Sequence, residues 1–461
     1  MQEIQTGKVT FHSSLEDLTT GFEWAKKQAL EYVHMGEDPV GMWYEAALPG
    51  REAFCMRDLS HQIYGAAVLG LEEHSKNMLM QFADHISESR DYCTYWEITR
   101  EGLPCAEDYI SDEDFWYNLP ANFELIRACY HQYLWTGDRD YLEHPVFTAF
   151  YSKTCNEFID LWDKDKDGIL EHYSVYGHRG IASYNECDID ILMAGDMAAS
   201  QYAAYGCYAK ILKLTGCSRE AEKYLAMQKD VKKSYLEKWY DKKNRRFYGA
   251  IQSNGKFYPG YYKEGNFLPI YFGILDGEEC LEDALQQLKE HGADNVEGAA
   301  YLPQIYYDHG EEALGYQALC YLCNPELDRR EYPEVSFAVL GSITNQVMGI
   351  TVNEQREIVT CPKLPNDNSW AEILNVPAAG IHVDVRHDGN SKTTIMKHAD
   401  DPEKNERRTL SWKAAFTGIF SYALINGQKY PLSYERDAAN RTVSYVSIEL
   451  TTEVPKTVQV V

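Results

Sequence analysis

Leu18, Phe22, Ala25, Ala29 and Tyr32 recur at three- and four-residue intervals, the spacing that aligns apolar side chains on one face of an α-helix. A short strand, Lys8 to His12, precedes them, and Ser14 or Asp17 stands where a helix cap belongs. Helical patterning then returns at 59–71, 75–89, 119–136, 145–162, 190–214, 218–239, 265–275, 280–290, 300–307, 311–323 and 335–349. With the first helix these make twelve, the number for six helical hairpins closed into a ring. Alternate members differ in kind. Segments 59–71, 119–136, 190–214 and 335–349 are rich in Ala, Gly and apolar residues nearly all round, whereas 75–89, 218–239 and 280–290 carry a charged face. Buried inner helices alternating with half-exposed outer ones have this pattern. No sequence repeat of fixed period is visible, which favours a closed ring over an open superhelix.

Past Gly349 the period changes from helical to alternating. Thr351–Val352, Ile358–Thr360, Ile381–Val385, Thr393–Met396, Gly418–Leu424, Thr442–Leu450 and Thr457–Val461 read as strands, separated by turn signals such as Asp388-Gly389-Asn390 and Asn426-Gly427. The predicted class is mainly α: an (α/α)6 barrel over residues 1–350 with a C-terminal antiparallel β-sandwich over 351–461. No Gly/Ser linker separates the two, so a tight interface is expected.

Composition narrows the function. A net charge of −27 repels nucleic-acid phosphates and anionic lipid, so neither nucleic acid nor membrane is expected as a partner. No apolar run reaches the ~18–20 residues of a membrane span, and the N-terminus lacks a basic segment followed by an apolar one, so a cytoplasmic protein is expected. Twelve scattered cysteines suit small buried hydrophobes in a reducing compartment, and Cys320-Tyr-Leu-Cys323 is a single CxxC without a second pair. Thirty-five tyrosines and nine tryptophans suit a cleft that stacks against a ligand.

Polar residues collect just before the helices expected to be inner. Arg51, Glu52, Arg57, Asp58, His61 and Gln62 surround the second helix, with Trp43, Tyr44 and Phe54 just upstream; Glu113-Asp114-Phe115-Trp116 precedes the fourth; Tyr184-Asn185-Glu186-Cys187-Asp188 precedes the sixth; Glu264 and Asn266 open the eighth; Glu331 and Glu334 stand before the twelfth. In a ring of hairpins these segments converge at one end. Carboxylates there also complement helix dipoles, but five clusters mixed with aromatics and amides favour a sugar-binding funnel, since sugars combine a rim of hydroxyls with apolar C–H faces. Two carboxyl groups facing each other across such a funnel meet the need of glycoside cleavage for a proton donor and a base or nucleophile.

Arg51-Glu-Ala-Phe-Cys-Met-Arg-Asp58 running into a helix resembles the arginine–aspartate turn of the six-hairpin glycosidases, the group that includes trehalases, mannosylglycerate hydrolases and α-L-rhamnosidases. Trp135-Thr-Gly-Asp138-Arg-Asp-Tyr-Leu142, Asp163-Lys-Asp-Lys-Asp-Gly168 and Glu331-Tyr-Pro333 are similar to further phrases of that group, and Gly341 to Ile350 with the β-rich tail resembles the last barrel helix and sandwich of the rhamnosidases. The resemblance implies a glycosidase acting on a small glycoside or oligosaccharide. Trehalase-like members imply an acid at Asp188, with Glu186 beside it; rhamnosidases imply Glu52, and the missing remainder of their phrase favours Asp188 or Glu186. Glu331 or Glu334 is the implied base, in an inverting displacement. Arg57 and Asp58 would grip sugar hydroxyls, and Trp43, Tyr44, Phe115 and Trp116 would stack on its faces. The rivals are an α-L-rhamnosidase with Glu52 as acid and a carbohydrate-binding barrel without chemistry.

No cofactor and no metal is expected. Asp163, Asp165, Asp167 and Gly168 match positions 1, 3, 5 and 6 of an EF-hand loop, yet position 12 is Ser174 instead of a bidentate glutamate, which favours a tight Asp/Gly turn. His172 and His178 lack metal-ligand spacing. Oligomeric state is not legible.

Overall fold

The computed structural model describes residues 6–186, 190–398, 410–450 and 454–461. Among the described residues twelve long helices precede residue 350: α1 (Glu16–Glu31), α2 (Met56–Val68), α3 (Glu72–Asp84), α4 (Pro120–Thr136), α5 (Pro145–Lys153), α6 (Gly195–Leu214), α7 (Ser218–Lys238), α8 (Glu264–Tyr271), α9 (Leu281–His291), α10 (Val296–Asp308), α11 (Glu312–Cys323) and α12 (Pro333–Ser342). α5 continues through a π-turn at Thr154–Phe158 into Ile159–Trp162, and α12 through one at Ile343–Val347. These positions lie within a few residues of those expected from the periodicity.

The even-numbered helices pack in a closed cycle: α2 on α4, α4 on α6, α6 on α8, α8 on α10, α10 on α12, and α12 back on α2. They are buried nearly all round; every residue of α12 from Pro333 to Ser342 is buried. The odd-numbered helices lie outside, and α7 buries little more than Ala221, Tyr224, Val231 and Tyr235 along one stripe. Glycines let the inner helices approach closely. A Cβ on Gly65 of α2 would stand 2.1 Å from the Phe337 carbonyl oxygen of α12, and one on Gly195 of α6 would stand 2.2 Å from the Gly265 carbonyl oxygen of α8.

Two sheets hold the C-terminal strands. One runs, in spatial order, Thr10–Ser13, Trp370–Ala378, Ile381–Asp388, Lys392–Lys397, Lys456–Val460, Ala423–Ile425 and Gln428–Tyr430, with every neighbouring pair antiparallel. The other runs Thr351–Val352, Ile358–Thr360, Leu410–Thr417, Thr442–Leu450 and Ser433–Arg436. Here Ile358–Thr360 pairs with Leu410–Thr417 in parallel, a departure from the all-antiparallel expectation. The N-terminal strand thus joins the sheet at the other end of the chain, pairing Phe11 with Ile373. One continuous apolar core includes residues of both sheets and all twelve helices.

Some local expectations are corrected. Leu15, not Ser14 or Asp17, occupies the α1 cap and makes no side-chain cap bond; the Ser14 hydroxyl instead donates to the Trp370 carbonyl at 3.3 Å, because the incoming strand is tied to the sheet. The strands at 370–378 and 410–417 escaped the alternation, the first carrying Glu372, Asn375 and Pro377, while 418–422 is a turn and only Ala423–Ile425 of that run is strand. No helix among the described residues is long and apolar enough to cross a membrane.

Candidate active site

The starts of three inner helices meet at one cavity of about 340 Å³, which Arg51, Arg57, Asp58, Trp96, Glu97, Asp108, Trp116, Glu186, Glu297, Tyr332 and Glu334 help to line. Arg57 and Asp58 are in the first turn of α2, Glu297 in that of α10 and Glu334 in that of α12, so each carboxylate sits by the positive end of a helix dipole. Pro333 in the first turn of α12 presets the helical φ and lacks the N–H that would go unpaired there. The strand Ala53–Cys55 pairs with Glu97–Thr99, setting Cys55 opposite Glu97, and the Met56 N–H donates to the Trp96 carbonyl at 3.0 Å. This ribbon brings Trp96, Glu97 and Asp108 to the wall beside α2.

The centre is a cluster of opposed charges. The Arg57 guanidinium keeps 22% of its side chain accessible, lies 3.4 Å (Nε) from Asp58 Oδ1 and feels Glu334, Tyr301 and Glu186, so despite the cost of desolvation its pKa stands well above normal. Glu334 is buried, and its Oε1 has no hydrogen-bond partner among the described residues. Desolvation, and then the adjoining Asp58 carboxylate, raise the Glu334 pKa well above the usual carboxylate range against the pull of Arg57. Burial and the like charge beside it thus both favour the protonated form of Glu334. The Gln62 amide, turned to satisfy both its ends, donates to the Glu45 carbonyl and accepts from the Glu334 N–H at 3.0 Å, fixing the start of α12 to α2.

A second pair sits on the adjoining wall. Arg51 Nη1 donates to Glu97 Oε2 at 2.6 Å and lies 3.5 Å from Asp108 Oδ2. Burial, and then the neighbouring Asp108 carboxylate, push the Glu97 carboxyl up to about 8. Glu186, itself exposed, lines the cavity at the end of a stretch whose residues 182–185 are buried. Its carboxyl, held among protein atoms, is raised by desolvation, with Arg57 opposing and Asp58, Asp108 and Glu297 adding to the rise. That stretch is anchored from below: Asp196, buried at the start of α6, accepts from the Tyr184 N–H at 2.6 Å and from the Ser183 hydroxyl at 3.1 Å, and Glu124 Oε2 accepts from the Tyr184 hydroxyl at 2.7 Å. Burial raises both anchors to about 7.

Of the residues singled out in the sequence, Arg51, Arg57, Asp58, Trp116, Glu186 and Glu334 come together. Trp43 and Tyr44 do not. Both are fully buried, Trp43 donating to Asp38 at 2.8 Å and stacking on His34, Tyr44 stacking on Phe337. Glu52 is exposed, has a positive φ of 51° and pairs with Arg100 at 2.5 Å away from the cavity wall. Glu331 is exposed outside the cavity, where its carbonyl accepts from the Tyr32 hydroxyl. His61, one turn deeper in α2, stacks on Tyr301 at 3.9 Å, and burial lowers its pKa to about 3, so it is neutral. Phe115 is buried behind Trp116. Asn266 accepts from the Tyr262 N–H and donates to the Phe247 carbonyl, a role in bracing α8. Glu264, at the start of α8, has a buried Oε2 without a hydrogen-bond partner among the described residues and a carboxyl raised by desolvation, yet it is not part of the cavity wall. Asp188 lies outside the described residues.

Sequence reading missed Trp96, Glu97, Asp108 and Glu297. Glu297 had a signal: it opens α10 as Asp58 opens α2 and Glu334 opens α12. Glu97 had none, because its place depends on a strand pairing more than forty residues away. Two further cavities, of about 370 and 560 Å³, lie elsewhere, and in them carboxylates such as Asp437 and Asp283 are already ion-paired, with Arg441 and Arg245.

No family model matches the chain, and no curated protein sequence matches it. Solved structures do. An α-L-rhamnosidase from Dictyoglumus thermophilum superposes with a TM-score of 0.62 at 12% identity, covering 98% of this chain and 50% of that one. A rhamnosidase of Bacillus SP. GL1 gives 0.60 at 13% identity, covering 82% and 40%. A protein described as a sialidase gives 0.60 at 12% identity, covering 95% and 41%. This chain has their fold. It spans half or less of the length of each.

Proposed function

We propose that the chain is a glycoside hydrolase on an (α/α)6 barrel within residues 1–350, joined to a β-sandwich of residues 351–461 that the strand Thr10–Ser13 also enters, and that it removes a terminal sugar from a small glycoside or oligosaccharide with inversion. The closed cycle of inner helices and the likeness to rhamnosidases and a sialidase support the architecture and the substrate class. The observation that carries the chemistry is the buried Glu334 beside Asp58 and Arg57, its pKa raised well above the usual carboxylate range, in a cavity that the exposed Glu186 also lines.

In this reading Glu334 is the acid, the reverse of the role expected from the sequence. Burial next to a second carboxylate keeps its proton on, as a proton donor requires. Its proton passes to the glycosidic oxygen as the bond from that oxygen to the anomeric carbon breaks. The exposed Glu186 takes a proton from a water whose oxygen forms the new bond to that carbon. Arg57 and Arg51 donate hydrogen bonds to sugar hydroxyls or a sugar carboxylate, and Trp96 and Trp116 offer faces for its C–H groups.

A panel of aryl glycosides, including α-L-rhamnosides and sialosides, tests the proposal together with Glu334→Gln and Glu186→Gln. Turnover of at least one member is expected. On a natural glycoside Glu334→Gln should cost ~10²–10⁴-fold, and on an activated aryl leaving group it should cost less than Glu186→Gln, because such a group leaves without a proton. Binding without turnover across the panel, or wild-type rates in both variants, would overturn the proposal in favour of a carbohydrate-binding barrel or a different pair of residues.

A further inference from the structure

The loop between Ile159–Trp162 and the segment that carries Glu186 holds a second group of carboxylates. Asp163, Asp165, Asp167 and Glu171 each place an oxygen within 4.8 Å of the others. Glu171 is fully buried and Asp163 is 6% exposed. Each is only half satisfied. Glu171 Oε2 accepts from the Lys164 N–H at 2.8 Å and Asp163 Oδ2 from the Gly168 N–H at 3.1 Å, while Glu171 Oε1 and Asp163 Oδ1 are buried with no hydrogen-bond partner among the described residues. Burying two carboxylate oxygens side by side without a partner costs several kcal/mol unless a proton or a cation joins them.

We propose that this loop is a binding site for a divalent cation of the calcium type, with Asp163, Asp165, Asp167 and Glu171 as its ligands. Calcium takes six to eight oxygens at ~2.3–2.6 Å, so oxygens on opposite sides of the ion stand ~5 Å apart, and the spread of these four oxygens fits within that span. Glu171 stands nine positions into the loop and supplies the buried carboxylate that the absent glutamate at position 12 made the sequence appear to lack. Gly168 has a φ of 93°, the left-handed bend that lets the loop fold back. Lys238 Nζ lies 2.9 Å from Asp167 Oδ2, the one ion pair made to the cluster among the described residues, and an entering cation would take that oxygen from it.

The loop is wired to the catalytic end. Gln201 of α6 donates to the Gly168 carbonyl at 2.6 Å, and the His172 N–H donates to the Leu192 carbonyl at 2.7 Å, so the loop holds the chain just C-terminal to the segment that includes Glu186. A bound cation would brace that segment. The assignment of the cation site does not depend on the proposed hydrolysis, and its test needs no substrate.

The test uses the full chain freed of metal with EGTA and then titrated with Ca2+, Mg2+ or Tb3+. Trp162, next to Asp163 and fully buried, is the donor for sensitised Tb3+ emission. Millimolar Ca2+ is expected to raise the melting temperature by ~2–6 °C, and Trp-excited Tb3+ emission is expected to saturate and to be displaced by Ca2+ far more effectively than by Mg2+. Asp165→Asn, at an exposed position, should fold as the wild type does and weaken Ca2+ binding at least ~10-fold; Glu171→Gln should abolish it, and should melt above the metal-free wild type if the buried charge is what costs stability. A melting temperature unmoved by Ca2+ overturns the proposal. So does Tb3+ emission that Asp165→Asn leaves unchanged.

Discussion

At the scale of single residues, position decides protonation. Asp58 and Glu334 are both buried carboxylates in the first turn of an inner helix, yet Glu334 Oε1 has no hydrogen-bond partner among the described residues while Asp58 lies against Arg57. Burial and a like charge close by both favour the protonated form of Glu334. If Glu334 is the acid, kcat/KM should fall as pH rises through its elevated pKa. Replacing Asp58 with Asn removes a negative neighbour that raises that pKa, so the alkaline limb should move to lower pH by ~1 unit; a limb that stays in place or moves upward would show that Asp58 does not act on the titrating group. Residue identity alone could nominate Asp58 and Glu334, because each stands at the start of an apolar helix. It could not rank them, since the ranking depends on desolvation, which no local pattern encodes. The same blindness put Trp43 and Tyr44 in the cleft: an aromatic beside a polar turn looks alike whether it faces a ligand or the core.

At the scale of elements, the site depends on how closely α2 and α12 approach, because each carries one member of the central pair. Gly65 sits where a Cβ would stand 2.1 Å from a backbone oxygen of α12, and backbone cannot swing aside as a side chain can. Gly65→Ala should therefore push the helices apart, costing about 1–3 kcal/mol in denaturant unfolding, and should lower turnover without touching any group in the cavity. Unchanged stability would mean that the two helices are not in register as described. The helices themselves were legible, because a 3.6-residue period needs only near neighbours. The strands were less so: Trp370–Ala378 is edged by polar residues and interrupted by Pro377, and only its partners, Thr10–Ser13 and Ile381–Asp388, make it a strand.

For the molecule as a whole, buried acids and net charge act in the same direction. Glu124 and Asp196 are buried and raised to about 7. A carboxyl whose folded pKa lies above its unfolded value near ~4 adds stability that is complete below ~4 and is lost as pH rises through ~7, on the order of 1–3 kcal/mol for each group. A net charge of −27 adds self-repulsion over the same interval. The urea midpoint of the chain is thus expected to be higher at pH 5.5 than at pH 8 at equal ionic strength. A midpoint equal or higher at pH 8 would show that these acids are ionised and satisfied in the folded state.

The sequence by itself determined which segments are helices, their alternation between all-round apolar and one-sided, the change to β patterning near residue 350, and the gathering of acids at helix starts. All of these follow from interactions spanning a few residues, where period and composition are direct physical instructions. Only the tertiary structure decided that the first strand closes the last sheet, that Glu97 and Asp108 join a wall begun at Arg51, that Glu52 and Glu331 turn outward, and that Glu334 is buried beside Asp58. Each depends on which distant group removes water from which side chain, and that is settled only when the chain has packed.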